Sequence, residues 1–229
     1  MSFAFIRALW SNFAAFVLVF ALGSAALATD GAKEPATVNI LAFGDSLTAG
    51  YGLGPGDGFT DQLEVWLNSN MKTDATIKVT NGGVSGDTTS GGRSRLDWSL
   101  APFKDGKPDL VILGLGGNDG LRGIDPAVTR DNMDAMVKTL TDRDIPVLLL
   151  GMLAPPNLGP DYAAIFDSIY KDLSVKYGVE LYPFFLDGVA AIPELNQPDG
   201  IHPTKEGVTI IVSKVGPVVQ AYLTSLDSE

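Results

Sequence analysis

Hydrophobic and polar positions alternate in a regular way along most of this chain. Residues 37–43 form a nearly continuous apolar run through Val38, Ile40, Leu41, Ala42 and Phe43. Such a run predicts a strand covered on both faces, as in a parallel sheet. Residues 61–68 change to helical spacing through Leu63, Trp66 and Leu67. Strands follow at 76–80, ending at Asn81-Gly82-Gly83, and at 108–115. Residues 126–140 read as an amphipathic helix with Val128, Met133, Met136, Val137 and Leu140 inward, its Pro126 placed where a missing N–H costs least. A fourth strand is expected at 146–150, a helix at 163–177 closed by Gly178, a fifth strand at 179–182 and a last helix at 204–223. Strands thus alternate with helices, which predicts an α/β fold with a central parallel sheet of about five strands. In such sheets ligands bind beyond the C-terminal strand ends.

Composition narrows the reading. The 229 residues are 45% hydrophobic and 19% charged, enough apolar material for one real core. The formal net charge is −11, with no basic run, so neither nucleic acid nor an anionic membrane surface is an expected partner. No cysteine occurs, which removes thiol nucleophiles, disulfides and cysteine metal sites.

The first residues read as a leader. Arg7 is the only charge before Thr29, an apolar run from Phe13 to Leu22 follows, and Ala26-Leu27-Ala28 has the small-x-small form of a cleavage site. The run is shorter than the roughly 20 residues of a spanning helix. Residues 1–28 are expected to be a cleaved signal peptide, with 29–229 as the mature domain, periplasmic or secreted and without a stable membrane anchor. An uncleaved anchor is the alternative. Loss of Arg7 leaves 15 basic against 27 acidic residues, a net charge of −12.

Candidate chemistry lies just after the predicted strands. The four segments are Gly44-Asp45-Ser46-Leu47, Asn81 to Asp87, Gly116-Gly117-Asn118-Asp119, and Asp199-Gly200-Ile201-His202-Pro203. His202 is the only histidine. A serine hydroxyl needs a base to become a nucleophile, and histidine is the usual one. Asp199, three residues earlier, is placed to hold the other imidazole nitrogen. Acyl transfer also needs fixed donors for an oxyanion. The Ser46 N–H, the Gly86 N–H and the Asn118 side-chain amide are the candidates. The alternatives are structural: Ser46 as a helix cap, Asp199 and Asn118 as turn residues, Gly86 as a turn glycine beside Gly82 and Gly83. Asp45, Asp87 and Asp119 read as supports of loops and helix starts.

Other chemistries fail on spacing. Residues 49–58 hold five glycines but neither phosphate-loop nor dinucleotide-binding spacing, and suit a mobile edge of a substrate cleft. No Gly-x-Ser-x-Gly occurs; Thr48 stands where its second glycine would be. One histidine and no cysteine argue against a zinc site, and no cofactor is expected.

The four segments together resemble the SGNH (GDSL) hydrolase family. Its nucleophile block is similar to Gly44–Leu47, its oxyanion glycine block to Val84-Ser85-Gly86-Asp87-Thr88, its Gly-x-Asn-Asp block to Gly116–Asp119, and its Asp-x-x-His block to Asp199–His202. Within it the thioesterase I, lysophospholipase L1 and arylesterase branch is the nearer likeness, through residues 115–123, Tyr182-Pro183-Phe184-Phe185 and residues 199–203. The resemblance implies a three-layer flavodoxin-like sandwich, export to the periplasm and no metal. It implies hydrolysis of small-molecule acyl esters or thioesters through an acyl-enzyme on Ser46. The apolar, proline-rich residues 152–162 resemble a loop that shapes the acyl site. Fatty acyl, lysophospholipid or aryl esters are therefore the expected substrates. A carbohydrate O-acetyl esterase and a non-catalytic lipid-binding protein are the alternatives. No protein partner is inferred.

Overall fold

The structure is a computed structural model that describes residues 36–226. The expected leader, residues 1–28, lies outside the described residues, as do residues 29–35.

Five strands form one parallel sheet: β1 (Thr37–Gly44), β2 (Thr76–Gly83), β3 (Leu110–Gly114), β4 (Val147–Leu150) and β5 (Glu180–Tyr182). Their order is β2-β1-β3-β4-β5, the flavodoxin-like order of doubly wound sheets. Among the described residues, seven α-helices accompany them: α1 (Ser46–Ala49), α2 (Phe59–Asn70), α3 (Thr89–Leu100), α4 (Gly117–Leu121), α5 (Pro126–Thr141), α6 (Pro160–Tyr177) and α7 (Lys205–Leu226).

Side chains alternate across each strand with period two. Ile40, Ala42, Leu110, Ile112, Leu148 and Leu150 face one side, where α2 and α7 supply Leu63, Leu67, Ile211 and Val215. Leu41, Phe43, Val111, Leu113, Val147 and Leu149 face the other, where α3, α5 and α6 supply Leu96, Met136, Leu140, Phe166 and Ile169. The result is helix, sheet, helix in three layers. α7 is the one described helix long and apolar enough to cross a bilayer by length and composition. Here it lays Val208, Ile211, Val212, Val215, Val219 and Leu223 on the sheet.

Two differences from the hydrophobic pattern have physical causes. The predicted elements include nothing between Gly83 and Pro108, yet α3 occupies 89–100. Two helix-weakening glycines open it and its buried apolar side chains are Leu96 and Leu100 alone, while Trp98 is 79% exposed, so no apolar period stands out. Gly92 is needed all the same. A Cβ there would press on Leu115 and lie 3.4 Å from the Phe43 ring. In α5, Thr129, Asn132, Met133, Met136, Val137 and Leu140 face the core, but Val128 stays exposed. The stripe is completed by Thr129 and Asn132, whose polar groups have buried partners.

Candidate active site

β1 and β3 are neighbours in the sheet, but their chain connections leave in opposite directions. A crevice opens between those connections at the C-terminal strand ends. Gly44 is in register with Gly83 on one side and Gly114 on the other. Gly44 and Gly83 let α1 settle onto the sheet edge. A Cβ on Gly83 would lie 2.7 Å from Ala49 Cα and 2.8 Å from the Asp45 carbonyl oxygen. A Cβ on Gly44 would lie 2.6 Å from the Gly114 carbonyl oxygen. α1 starts at Ser46 because Asp45 caps it, accepting the Leu47 N–H at 3.1 Å, and ends where Gly50 turns left-handed at φ 76°.

Ser46 is nearly buried, and its Oγ lies 2.8 Å from His202 Nε2. His202 Nδ1 lies 2.7 Å from Asp199 Oδ2. An ionised carboxylate only accepts, so Nδ1 carries the hydrogen and Nε2 is left to receive the Ser46 hydroxyl. Asp199 Oδ1 also accepts the N–H groups of Ile201 and His202, at 3.0 and 3.1 Å, and Gly200 supplies the turn with φ 76°. The His202 hydrogen bond first, then those two N–H groups, hold the Asp199 carboxyl down at about 2. The loop is clamped from outside. Gln197 N–H donates to the His202 carbonyl at 2.7 Å, and Gln197 Nε2 donates to the Tyr51 carbonyl at 2.8 Å. The Tyr51 ring covers the imidazole with centroids 4.6 Å apart.

Gly86 and Asn118 reach the same crevice from β2 and β3. With Ser46 and His202 they line one cavity of about 490 Å³. Gly86 has φ 82°, and its carbonyl accepts from Arg122 Nη2 at 2.8 Å. Among the described residues, neither the Ser46 nor the Gly86 N–H meets a backbone acceptor. Asn118 sits in the first turn of α4, where Gly116 at φ 114° lets the chain turn under the Tyr170 hydroxyl. That hydroxyl donates to the Leu115 carbonyl at 2.8 Å. Asn118 Nδ2 donates to Asp45 Oδ2 at 3.3 Å.

The other acids support the frame. Asp119 is fully buried and accepts from Thr89 N, Thr89 Oγ and Thr129 Oγ, tying α4 to α3 and α5. Asp87 pairs with Arg95 at 2.6 Å. The Arg95 guanidinium also donates to the Gly82 and Gly44 carbonyls and lies 4.1 Å over the Phe43 ring. Sequence patterns did not single out Arg95, since it lies in the overlooked helix.

The rest of the cavity is largely apolar. Met152, Leu153, Ala154, Pro155 and Pro156 line it, as the likeness of residues 152–162 implied, together with Leu47, Leu121, Phe184, Leu186 and Ile201. Tyr162 turns away and donates to the Ile124 carbonyl. Of the glycine loop 49–58, Tyr51 alone reaches the cavity wall.

Comparison with known proteins agrees with this geometry. Residues 42–210 match the GDSL-like lipase/acylhydrolase family. The chain is 36% identical over 191 residues to esterase TesA of Pseudomonas aeruginosa, covering 83% of this chain and 92% of that protein. It is 33% identical over 188 residues to thioesterase 1/protease 1/lysophospholipase L1 of Escherichia coli, covering 82% of this chain and 86% of that one. The crystal structure of AlinE4, an SGNH-hydrolase family esterase, superposes with a TM-score of 0.66 at 48% identity, over 83% of this chain and 98% of that one. The chain belongs to the GDSL-like lipase/acylhydrolase family and is a serine esterase, a carboxylic ester hydrolase.

Proposed function

We propose that Ser46, His202 and Asp199 are the catalytic residues and that Ser46 N–H, Gly86 N–H and Asn118 Nδ2 bind the oxyanion. The observation that carries this reading is the unbroken hydrogen-bonded line from Asp199 through His202 to Ser46 Oγ, ending in an apolar cavity. His202 Nε2 takes the Ser46 proton as Oγ bonds to the acyl carbon, and the carbonyl electrons move onto oxygen. The tetrahedral oxyanion collapses, the bond to the leaving alkoxide or thiolate breaks, and the imidazolium returns its proton. Water, deprotonated by the same imidazole, attacks the acyl-enzyme and releases the acid and free Ser46. Each oxyanion donor contributes about 3–4 kcal/mol to the barrier reduction.

Fatty acyl esters, thioesters, lysophospholipids and aryl esters are the proposed substrates. The cavity wall is mostly aliphatic, and Tyr51, Leu121, Leu153 and Ile201 at its mouth expose 52%, 55%, 49% and 43% of their surface. Such a wall suits an acyl chain, whereas a glycan asks for many polar partners. The enzyme acts after export, residues 1–28 serving as a signal peptide cleaved after Ala28.

Ser46→Ala should abolish turnover of p-nitrophenyl esters with folding intact, and a fluorophosphonate should label Ser46 in the wild type alone. Turnover persisting in the variant would remove Ser46 from its role. A panel from acetate to palmitate should show kcat/KM rising beyond acetate. A preference for acetylated xylan over every longer ester would favour the carbohydrate esterase reading.

A further inference from the structure

We infer that Asp45 is a positioning residue for catalysis: its carboxylate fixes the orientation of the Asn118 side-chain amide, so that this position offers an N–H to the oxyanion. The inference rests on the oxyanion role proposed for Asn118 and goes beyond the capping role that sequence assigns to Asp45.

Asp45 is only 3% exposed, yet it does more than cap α1. Oδ1 accepts the Leu47 N–H at 3.1 Å, which is the cap. Oδ2 is turned away from α1, across the crevice, and accepts Asn118 Nδ2 at 3.3 Å. The titratable groups whose charge is coupled to the carboxyl are His202, from the loop before α7, and the Tyr170 hydroxyl, from α6.

The chemistry of this contact selects one of two amide orientations. A carboxylate has no hydrogen to give, so it accepts from NH₂ and repels the amide oxygen. One Nδ2 hydrogen is thereby committed to Asp45, and the second remains for the cavity that Asn118 lines. With the amide turned over, an oxygen lone pair would meet a charged oxygen, and the site would lose its fixed donor. Preorganised donors are effective because no reorientation is needed when charge develops. A neutral group at position 45 can accept or donate, and so no longer discriminates. Burial, the largest influence, pushes the Asp45 carboxyl up to about 6, so the wild-type protein passes through that neutral state in mild acid.

Asp45→Asn tests the idea with little change of shape, because Asn caps a helix about as well as Asp. The measurement is kcat and KM on p-nitrophenyl butyrate at pH 8 for D45N, N118A and the double variant. Loss of the donor in N118A should lower kcat about 10²–10³-fold. D45N should lower kcat about 10-fold with KM within about two-fold, and D45N/N118A should be no slower than N118A within about two-fold. A D45N enzyme with wild-type kcat overturns the inference. So does a double variant whose loss is the product of the single losses, since Asp45 would then act independently of Asn118. N118A with wild-type kcat removes the oxyanion role of Asn118 and this inference with it, which separates that failure from failure of Asp45 alone. If D45N does not fold, the same contact is read in H202A protein by NMR. The Asn118 side-chain N–H pair, identified by its loss in H202A/N118A, should shift with the midpoint of the Asp45 carboxyl carbon; resonances that stay fixed through that titration overturn the inference.

Discussion

Asp45 and Asp199 stand on either side of the Ser46 machinery and are pushed in opposite directions. Hydrogen bonds from the His202 ring and two backbone N–H groups hold Asp199 at about 2, although its side chain is 38% exposed. Its stabilising contribution is complete above the unfolded value of 3.8 and is lost as pH falls through about 2. Above pH 5, then, none of the enzyme's pH dependence arises from Asp199. Asp45 is the reverse case. Its folded pKa of about 6 exceeds the unfolded value of 3.8, so the fold favours the protonated form. That preference is fully present below 3.8 and is lost as pH rises through about 6. Ionising this carboxyl at neutral pH therefore costs on the order of 3 kcal/mol. D45N escapes the penalty, so its Tm relative to wild type should rise by a few degrees between pH 4 and pH 7. Calorimetry at the two pH values checks this, and a Tm difference independent of pH would refute it. The variant is then slower and more stable at once, the usual trade at a working site.

At the scale of elements, the proposed nucleophile Ser46 depends on how closely α1 approaches the sheet. Gly83 and Gly44 leave no side chain between the sheet edge and that short helix. Gly83→Ala would place Cβ against the backbone of Ala49 and Asp45, neither of which is the movable end of a side chain. The variant should lose about 2 kcal/mol or more of stability and more than 10-fold in kcat as Ser46 shifts from His202. Denaturant unfolding and steady-state kinetics read both, and a G83A enzyme matching wild type in each would show that the approach is not critical. Arg95 secures the same edge from the other layer by bonding the carbonyls of Gly44 and Gly82. Its helix, α3, was illegible in sequence because glycine propensity and an interrupted apolar stripe conceal it. Its glycine at 92 is required by tertiary packing instead, because a Cβ there would run into Leu115 and touch the Phe43 ring. Strands β1, β3 and β4 were legible, since burial on both faces demands unbroken apolar runs.

For the molecule as a whole, the proposed export predicts a defined product. Expressed with its leader in a Gram-negative host, the enzyme should be recovered from the periplasmic extract with Thr29 as its first residue. Intact mass and N-terminal sequencing decide this, and a chain retained in the membrane with residues 1–28 attached would contradict cleavage. Sequence alone made the fold class legible and nominated five candidate site residues, Ser46, Gly86, Asn118, Asp199 and His202. Apolar periodicity reports burial directly, and a single histidine leaves one choice of base. What sequence did not determine is which groups meet across the sheet. The link between Asp45 and Asn118 spans 73 positions, and that between Ser46 and His202 spans 156. Strand order and register bring these residues together. Asp45 accordingly reads as a cap in the sequence, because the cap is a local contact. Its second oxygen takes on a role only when the fold brings α4 against it.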